Sequence, residues 1–363
     1  MKKLALPVLL LVLLVPGAAK AAACSPLNCS PSQFLFQHGT LLGVRGTPYK
    51  PLRVIDLRTG KTKWWLPAGI VTRNTLVHKK HAQLTWYDVT RGSLEQTVSV
   101  TGSYSLVGTS QDAKRAVLAA PTAHRSTTFA IVSRSGARTA TLPGRNWQFD
   151  ALNGSNLILI QQLRNGYEVR LYDLATRKLQ PQPLKDPDES ALIQGIPFER
   201  VSSPNGRYLF TLYIDGNGNA MIHELDTLAG RAYCIDLPGD GDFNAAMTWA
   251  LVPSPDGATV WAVSVGYGRI AAVDVAAHVV REHAFFQRAT WTANPGNAVL
   301  APDGQYIAVT DAQHTWFVNL AKLTVRRGPS HVAVALGFSP DERKLWVVGE
   351  RSRVSSLRPG LVR

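Results

Sequence analysis

Three short stretches of the sequence are rich in carboxylate and amide groups, the oxygen ligands that divalent cations and basic partners favour. They are Lys185 to Glu189 with Asp186, Asp188 and Glu189, then Asp215-Gly-Asn217-Gly-Asn219, and Pro238-Gly-Asp240-Gly-Asp242. The chain has 39 Lys and Arg against 25 Asp and Glu, a net charge of +14, so a local acidic group is unexpected. We therefore predict that these stretches form a surface that binds a ligand or partner.

The middle stretch offers two interpretations. Asp215, Asn217 and Asn219 alternate as the ligands of a calcium loop do. However, Ala220 stands where such loops need glycine, and Glu224 comes too early to close the site as a bidentate ligand. A hairpin with Gly and Asn turn residues explains the same letters. We expect no cofactor, and calcium is the alternative.

The sequence favours no other chemistry. His78 and His81 lie three residues apart, which in a strand points them to opposite faces. His278 and His283 flank Glu282 without a zinc-protease spacing. There is no Gly-x-Ser-x-Gly elbow, P-loop or dinucleotide fingerprint, so we assign no catalytic residue. The basic residues are scattered without interleaved aromatics, and nucleic acid is not an expected partner.

A turn motif repeats along the second half of the chain. Ser-Pro-Asp-Gly and its variants lie between apolar runs about 40–50 residues apart, which is close to the period of a propeller blade. Proline presets φ, Asp or Asn accepts backbone N–H groups, and glycine takes a positive φ, so each copy predicts a strand–turn–strand unit. The turn residues are Pro204, Gly206, Pro255, Asp256, Gly257, Pro302, Asp303, Gly304, Pro340 and Asp341.

A second motif, an apolar pair followed by Asp or Asn, lies downstream of each turn and is followed by another short β-like run. Its polar residues are Asp56, Asp88, Asp173, Asp226, Asp274 and Asn319, with Ser133 as a degenerate member. Each period then holds four strands, and helical periodicity is missing, which predicts an all-β propeller. We expect seven blades, with a strand around Phe34 to Phe36 completing the last one, and eight as the alternative.

This combination of Ser-Pro-Asp-Gly turns, apolar runs and apolar-apolar-Asp segments resembles the secreted YVTN and TolB-like propellers, relatives of the WD-repeat fold. The resemblance covers residues 34–363 and implies a fold without specifying an activity. The Trp-Asp and Gly-His dipeptides of WD-repeat proteins are absent. We expect a non-catalytic binding or scaffold module, a monomer whose partner is a protein or an anionic cell-envelope polymer. The alternative is a hydrolase or lactonase with a metal in the central channel.

The first 23 residues have the order of a secretory signal peptide. Lys2 and Lys3 precede an apolar run from Leu4 to Val15, and small residues follow Pro16 and Gly17. Residues 24–33 then form a short linker, and the protein is expected outside the cytoplasm. Cys24 and Cys29 are candidates for a disulfide, with Cys234 buried alone. Lipidation at Cys24 is the alternative and would attach the protein to the membrane. It fits less well, because Ala21 stands where a lipid-attachment signal usually has leucine.

The leader predicts a mature N-terminus at Ala22 or Cys24. N-terminal sequencing of the exported protein tests this expectation, and recovery of chains that still begin at Met1 would contradict it.

Overall fold

The computed structural model describes residues 34–44, 50–120, 126–143, 147–164, 166–186, 192–286, 298–310, 313–330, 335–349 and 354–357. Within them the chain forms eight separate antiparallel sheets, each with its strands paired in chain order. The first strands of successive sheets contact one another, so these strands are innermost and the sheets are the blades of a ring. The protein is an eight-bladed β-propeller, as the alternative blade count predicts.

The strands are as follows. Blade 1 has β1 (Phe34–His38), β2 (Leu41–Val44), β3 (Leu52–Asp56) and β4 (Lys61–Leu66), and blade 2 has β5 (Ile70–Thr72), β6 (Thr75–Lys80), β7 (Gln83–Asp88) and β8 (Ser93–Ser99). Blade 3 has β9 (Ser105–Thr109), β10 (Arg115–Ala119), β11 (Ser126–Ser133) and β12 (Gly136–Pro143), and blade 4 has β13 (Trp147–Asn153), β14 (Asn156–Leu163), β15 (Gly166–Asp173) and β16 (Lys178–Leu179).

The second half continues in the same order. Blade 5 has β17 (Ile196–Ser202), β18 (Tyr208–Ile214), β19 (Ala220–Asp226) and β20 (Arg231–Asp236), and blade 6 has β21 (Trp249–Pro253), β22 (Thr259–Ser264), β23 (Arg269–Asp274) and β24 (Val279–Phe285). Blade 7 has β25 (Ala298–Leu300), β26 (Tyr306–Thr310), β27 (His314–Asn319) and β28 (Thr324–Ser330), and blade 8 has β29 (Ala335–Phe338), β30 (Leu345–Val348) and β31 (Val354–Leu357). A helix of four residues, α1 (Phe243–Ala246), precedes blade 6.

Ring closure differs from the expectation. The predicted pairing of the N-terminal strand with the last blade is wrong, because β1 pairs with β2 of its own blade. Blades 1 and 8 instead meet through side chains, with Leu42, Ile55 and Leu57 packed against Ala335 and Trp346. The Trp346 indole N–H also donates to the Leu57 carbonyl. The ring is therefore closed by side-chain packing between the sheet of blade 1 and the sheet of blade 8, of which three strands are described.

The core lies between the blades, which explains the continuous apolar runs. Successive residues of a strand point to opposite faces. Leu157 and Leu159 of β14 accordingly pack with blade 3 around Phe129, whereas Ile158 of the same strand packs with blade 5 around Tyr213. β14 therefore contributes to the cores on both sides of its blade.

The Ser-Pro-Asp-Gly segments join the first and second strands of their blades, as predicted. In four blades a serine hydroxyl donates to the carboxylate or amide oxygen two residues later, at 2.5–2.7 Å. These serines are Ser110, Ser203, Ser254 and Ser339. The segment Gln111 to Lys114 lacks the Pro-Asp-Gly sequence, but its turn has the same serine hydrogen bond as the regular copies. In blade 7 Ala301 replaces the serine, and the Gly304 N–H still donates to its carbonyl at 2.9 Å.

The Asp-ended segments form the turns between third and fourth strands. The carboxylate of Asp56, for example, accepts the N–H of Arg58 at 2.8 Å, and that of Asp274 accepts the N–H of Ala276 at 2.9 Å. Four residues after each Asp or Asn the backbone takes a positive φ, at Gly60, Gly92, Arg177, Gly230, His278 and Leu323. These aspartates therefore hold turns together, which accounts for their regular recurrence.

The described part of the chain is almost free of helix, and none of its helices has the length and apolar character needed to cross a membrane. Of the tryptophans, Trp86 and Trp249 are fully buried, whereas Trp65 is 60% exposed. The Trp64 indole donates to the Val89 carbonyl of the next blade at 3.0 Å. Trp64 and Trp346 therefore link neighbouring blades.

Replacing Gly257 by valine should lower the free energy of unfolding by about 1–3 kcal/mol, because φ at this turn is +73° and a β-branched residue is strained there. A Cβ at this position would meet Pro204 at 3.5 Å, an ordinary contact, so strain and not collision causes the loss. Chemical denaturation measures the change. Gly216→Val is the matched control, since Gly216 is exposed, has no positive φ and has open space around it. Equal losses in both variants would contradict this account of the turn.

Candidate functional site

The two ends of the ring carry different strand connections. Because successive strands are antiparallel, the first–second and third–fourth turns of every blade share one end, which we call the turn face. The second–third hairpins and the connections between blades lie at the opposite end, which we call the loop face. The three acidic stretches belong to blades 4 to 6 of the loop face: residues 185–189 connect blades 4 and 5, residues 215–219 join β18 to β19, and residues 238–242 connect blades 5 and 6.

Asp215 organises its own hairpin. Its carboxylate accepts the N–H of Asn217 at 2.9 Å and that of Asn219 at 2.8 Å, together with the Asn219 side-chain amide at 2.9 Å. Burial raises the pKa of Asp215, but the hydrogen bonds from Asn219 and Asn217 outweigh it, so the pKa lies below its ordinary value. The alternating residues thus form the Gly/Asn hairpin that the sequence allows.

The third acidic stretch packs on this hairpin. Asp242 caps α1 by accepting the N–H groups of Asn244 at 3.0 Å and Ala245 at 3.2 Å. A Cβ on Gly218 would lie 2.4 Å from the Phe243 nitrogen, so glycine is required where the two segments meet. Residues 215–219 and 240–243 therefore form one surface, which we call the loop platform.

Tyr267, in the second–third hairpin of blade 6, connects the two segments of the platform. Its hydroxyl lies 2.9 Å from the Gly218 carbonyl and 2.8 Å from the Asp242 carbonyl, and its ring is buried. Sequence reasoning missed this residue. The available signal was a lone tyrosine between two glycines of a predicted hairpin, which does not reveal a tertiary contact.

The remaining predicted residues are dispersed. Asp186 accepts the N–H of Cys234 on β20 at 3.0 Å, and Asp240 is an exposed residue of the platform. Asp188 and Glu189 lie outside the described residues, as do Cys24 and Cys29. Cys234 is half-buried and free of disulfides. Nowhere in the described ranges do three His, Cys, Asp or Glu side chains come together as a set able to hold a metal ion.

The channel wall carries charge on two neighbouring blades. Asp150 on β13 is paired with Arg200 on β17, whose Nε donates to Thr211 at 3.0 Å. Glu199 accepts the N–H of Leu251 on β21 at 2.8 Å, and burial raises its pKa to about 8. The other six innermost strands, within their described bounds, contain neither Asp nor Glu.

A third group of polar side chains lies in the seam between blades 5 and 6. Glu224 on β19 is fully buried, its Oε1 is 3.0 Å from Nδ1 of His278, and its Oε2 has no hydrogen-bond partner in the described structure. His278 stacks on Tyr233 with ring centroids 3.4 Å apart. Burial raises the pKa of Glu224 to about 8, with Asp226 adding to the effect, and burial lowers the pKa of His278.

Neither a protein-family model nor a curated protein matches the chain. Among solved structures, the Dos1 propeller is similar, with 12% identity over 91% of this chain and 93% of that one and a TM-score of 0.52. Dihydro-heme d1 dehydrogenase NirN, in complex with DHE, is 13% identical over 92% of this chain and 74% of that chain, with a TM-score of 0.50. At such identities these likenesses show the propeller fold alone.

Glu224 makes a specific pH dependence testable. Its folded pKa of about 8 exceeds the ordinary 4.5, so the stability it contributes is complete below about pH 4.5 and is lost as the pH rises through 8. Glu224→Gln should therefore gain about 1–4 kcal/mol of stability relative to the parent between pH 5 and pH 9. Thermal denaturation of both proteins across this range measures the gain. A stability difference that stays constant with pH would contradict the assignment.

Proposed function

We propose that this protein is an exported, non-catalytic binding propeller. The observation that carries the proposal is the channel wall, where the described inner strands supply acidic groups from blades 4 and 5 only. Asp150 is held by Arg200, and Glu199 is held by a backbone N–H of blade 6. A metal-dependent hydrolase would need ligands converging from several blades, and this arrangement does not supply them.

The loop platform is the surface we propose for the partner. Its two segments are held by their own hydrogen bonds and by Tyr267, so little ordering is needed on binding. We assign attraction of the partner to the exposed Asp240 of the platform and to Asp186, which also accepts the Cys234 N–H of blade 5. The partner class that suits this charge is a basic segment of another protein.

Export and envelope association rest on the sequence. The leader supports a location outside the cytoplasm, and the excess of Lys and Arg favours contact with anionic envelope polymers. The protein would then use the loop platform for one partner while its general charge keeps it near the envelope.

A fluorescent lysine-rich peptide provides the binding test. We expect the double variant Asp186→Asn/Asp240→Asn to bind it about tenfold more weakly at low salt than the parent. Asp256→Asn/Asp303→Asn, which makes the same two-unit charge change in turns of the turn face, should leave binding unchanged. Equal binding by the parent and Asp186→Asn/Asp240→Asn would remove the platform as the partner site.

Catalysis is tested separately. We expect calcium or zinc loading followed by dialysis to leave no stoichiometric metal, and lactone and ester substrates to remain intact. Hydrolysis that disappears in Glu199→Gln, together with bound metal, would support the hydrolase alternative and overturn the non-catalytic proposal.

A further inference from the structure

Blade 3 breaks the rule that the third strand ends in Asp or Asn. Ser133 occupies that position, directly opposite Arg115 on β10. In blade 6 the same cross-strand position pairs Thr259 with Asp274. The turn after Ser133 is also short, because Ser133 already pairs with Gly136. Blade 3 therefore lacks both a carboxylate and part of the turn that neighbouring blades have.

The missing carboxylate leaves arginines without their usual counter-ion. In regular blades an arginine beside the anchor is paired with it: Arg207 with Asp226 at 2.6 Å, and Arg281 on β24 with Asp274. Arg138 takes the place of Arg281, since both are the third residue of the fourth strand. Within the part of the chain that the structure describes, neither Arg115 nor Arg138 forms an ion pair.

The nearby acids do not replace the missing group. Asp112 lies within electrostatic reach of Arg115, but its Oδ1 accepts the Ser110 hydroxyl at 2.5 Å and the Lys114 N–H at 3.1 Å. Asp173 of blade 4 accepts the N–H of Ala175 at 2.8 Å and the Thr176 hydroxyl at 2.9 Å. Both carboxylates therefore already hold their own turns.

The shortened turn opens a groove of about 560 Å³ between blades 3 and 4 on the turn face. Arg115 and Arg138 line it together with the polar residues Ser133, Ser135 and Ser155. A Cβ built on Gly136 or Gly154 at its edge would meet nothing within 4 Å, which agrees with an open entrance. No Asp or Glu is among the lining residues.

We propose that this groove binds a small organic anion through a phosphate or carboxylate group placed between Arg115 and Arg138. The ligand's oxygens take the place that the anchor carboxylate has in other blades, where guanidinium groups are suited to bidentate contacts with such groups. The Ser135 hydroxyl, which lies 3.1 Å from that of Ser133, is a further polar group at the site. Since the groove is much larger than a free ion, the ligand extends beyond its charged group, as a sugar phosphate or acidic sugar does. This site lies opposite the loop platform and does not depend on the proposed function.

Isothermal titration calorimetry with glucose 1-phosphate, glucuronate, inorganic phosphate and glucose tests the proposal. We expect at least one of the two anionic sugars to bind more tightly than inorganic phosphate and glucose to show no binding. Failure of both anionic sugars to bind at about 10 mM would overturn the proposal. Equal binding of inorganic phosphate would overturn the assignment of a larger ligand.

Variants locate the site. Ser133→Asp restores the carboxylate that regular blades carry, so it should fold with an unchanged or higher Tm and bind at least about tenfold more weakly. Arg138→Gln, at an exposed position, should weaken binding by a similar factor. Arg231→Gln removes a charge from the same face outside the groove and should bind like the parent. Parental affinity in both Ser133→Asp and Arg138→Gln would place the ligand elsewhere and overturn the proposal.

Discussion

Each blade of this protein has two apolar faces, and the structure depends on covering both of them with neighbouring blades. A single sheet cannot do so, which is why the strands are stable only in a closed ring. The decisive contact is between the last blade and the first, where Trp346 packs over Gly60. A Cβ at Gly60 would lie 2.3 Å from the indole ring, so the closure requires glycine at this point. Because packing closes the ring, β1 pairs within blade 1 and does not add a strand to blade 8.

Side chains in the turns stabilise the individual blades. In blade 6, for example, a serine hydroxyl and a carboxylate define the first–second turn, and a second carboxylate defines the third–fourth turn. Such side-chain caps satisfy backbone N–H groups that tight turns otherwise leave without partners. Much of the acidic content of this basic chain is therefore structural. The same holds on the loop face, where Asp215 stabilises a hairpin and Asp242 caps a helix.

Local chemistry explains which features could be predicted from the sequence. The positive φ at Gly257, the turn positions and the Asp-ended strands all follow from side chains acting within five residues of themselves. The position of β1 could not be predicted in this way, because pairing with the first or the last blade satisfies the same apolar pattern. Tyr267 and Glu224 were missed for a similar reason: their partners, Gly218 and His278, lie 49 and 54 residues away. The hydrogen bonds of Asp215 and Asp242 could not be foreseen from the acidic stretches alone.

In a repeat protein, the regular blades show what a residue does when it serves the fold alone. A blade that departs from the pattern therefore indicates an additional role. Arg207 and Arg281 have anchor aspartates as counter-ions, so these arginines stabilise turns. Arg115 and Arg138 occupy related places around Ser133, where that explanation fails. The fold does not require an arginine at the position of Arg115. In blade 6 the corresponding position, opposite Asp274, is occupied by Thr259. A pair of guanidinium groups at the edge of a groove is therefore better explained by an anion that comes from outside the chain.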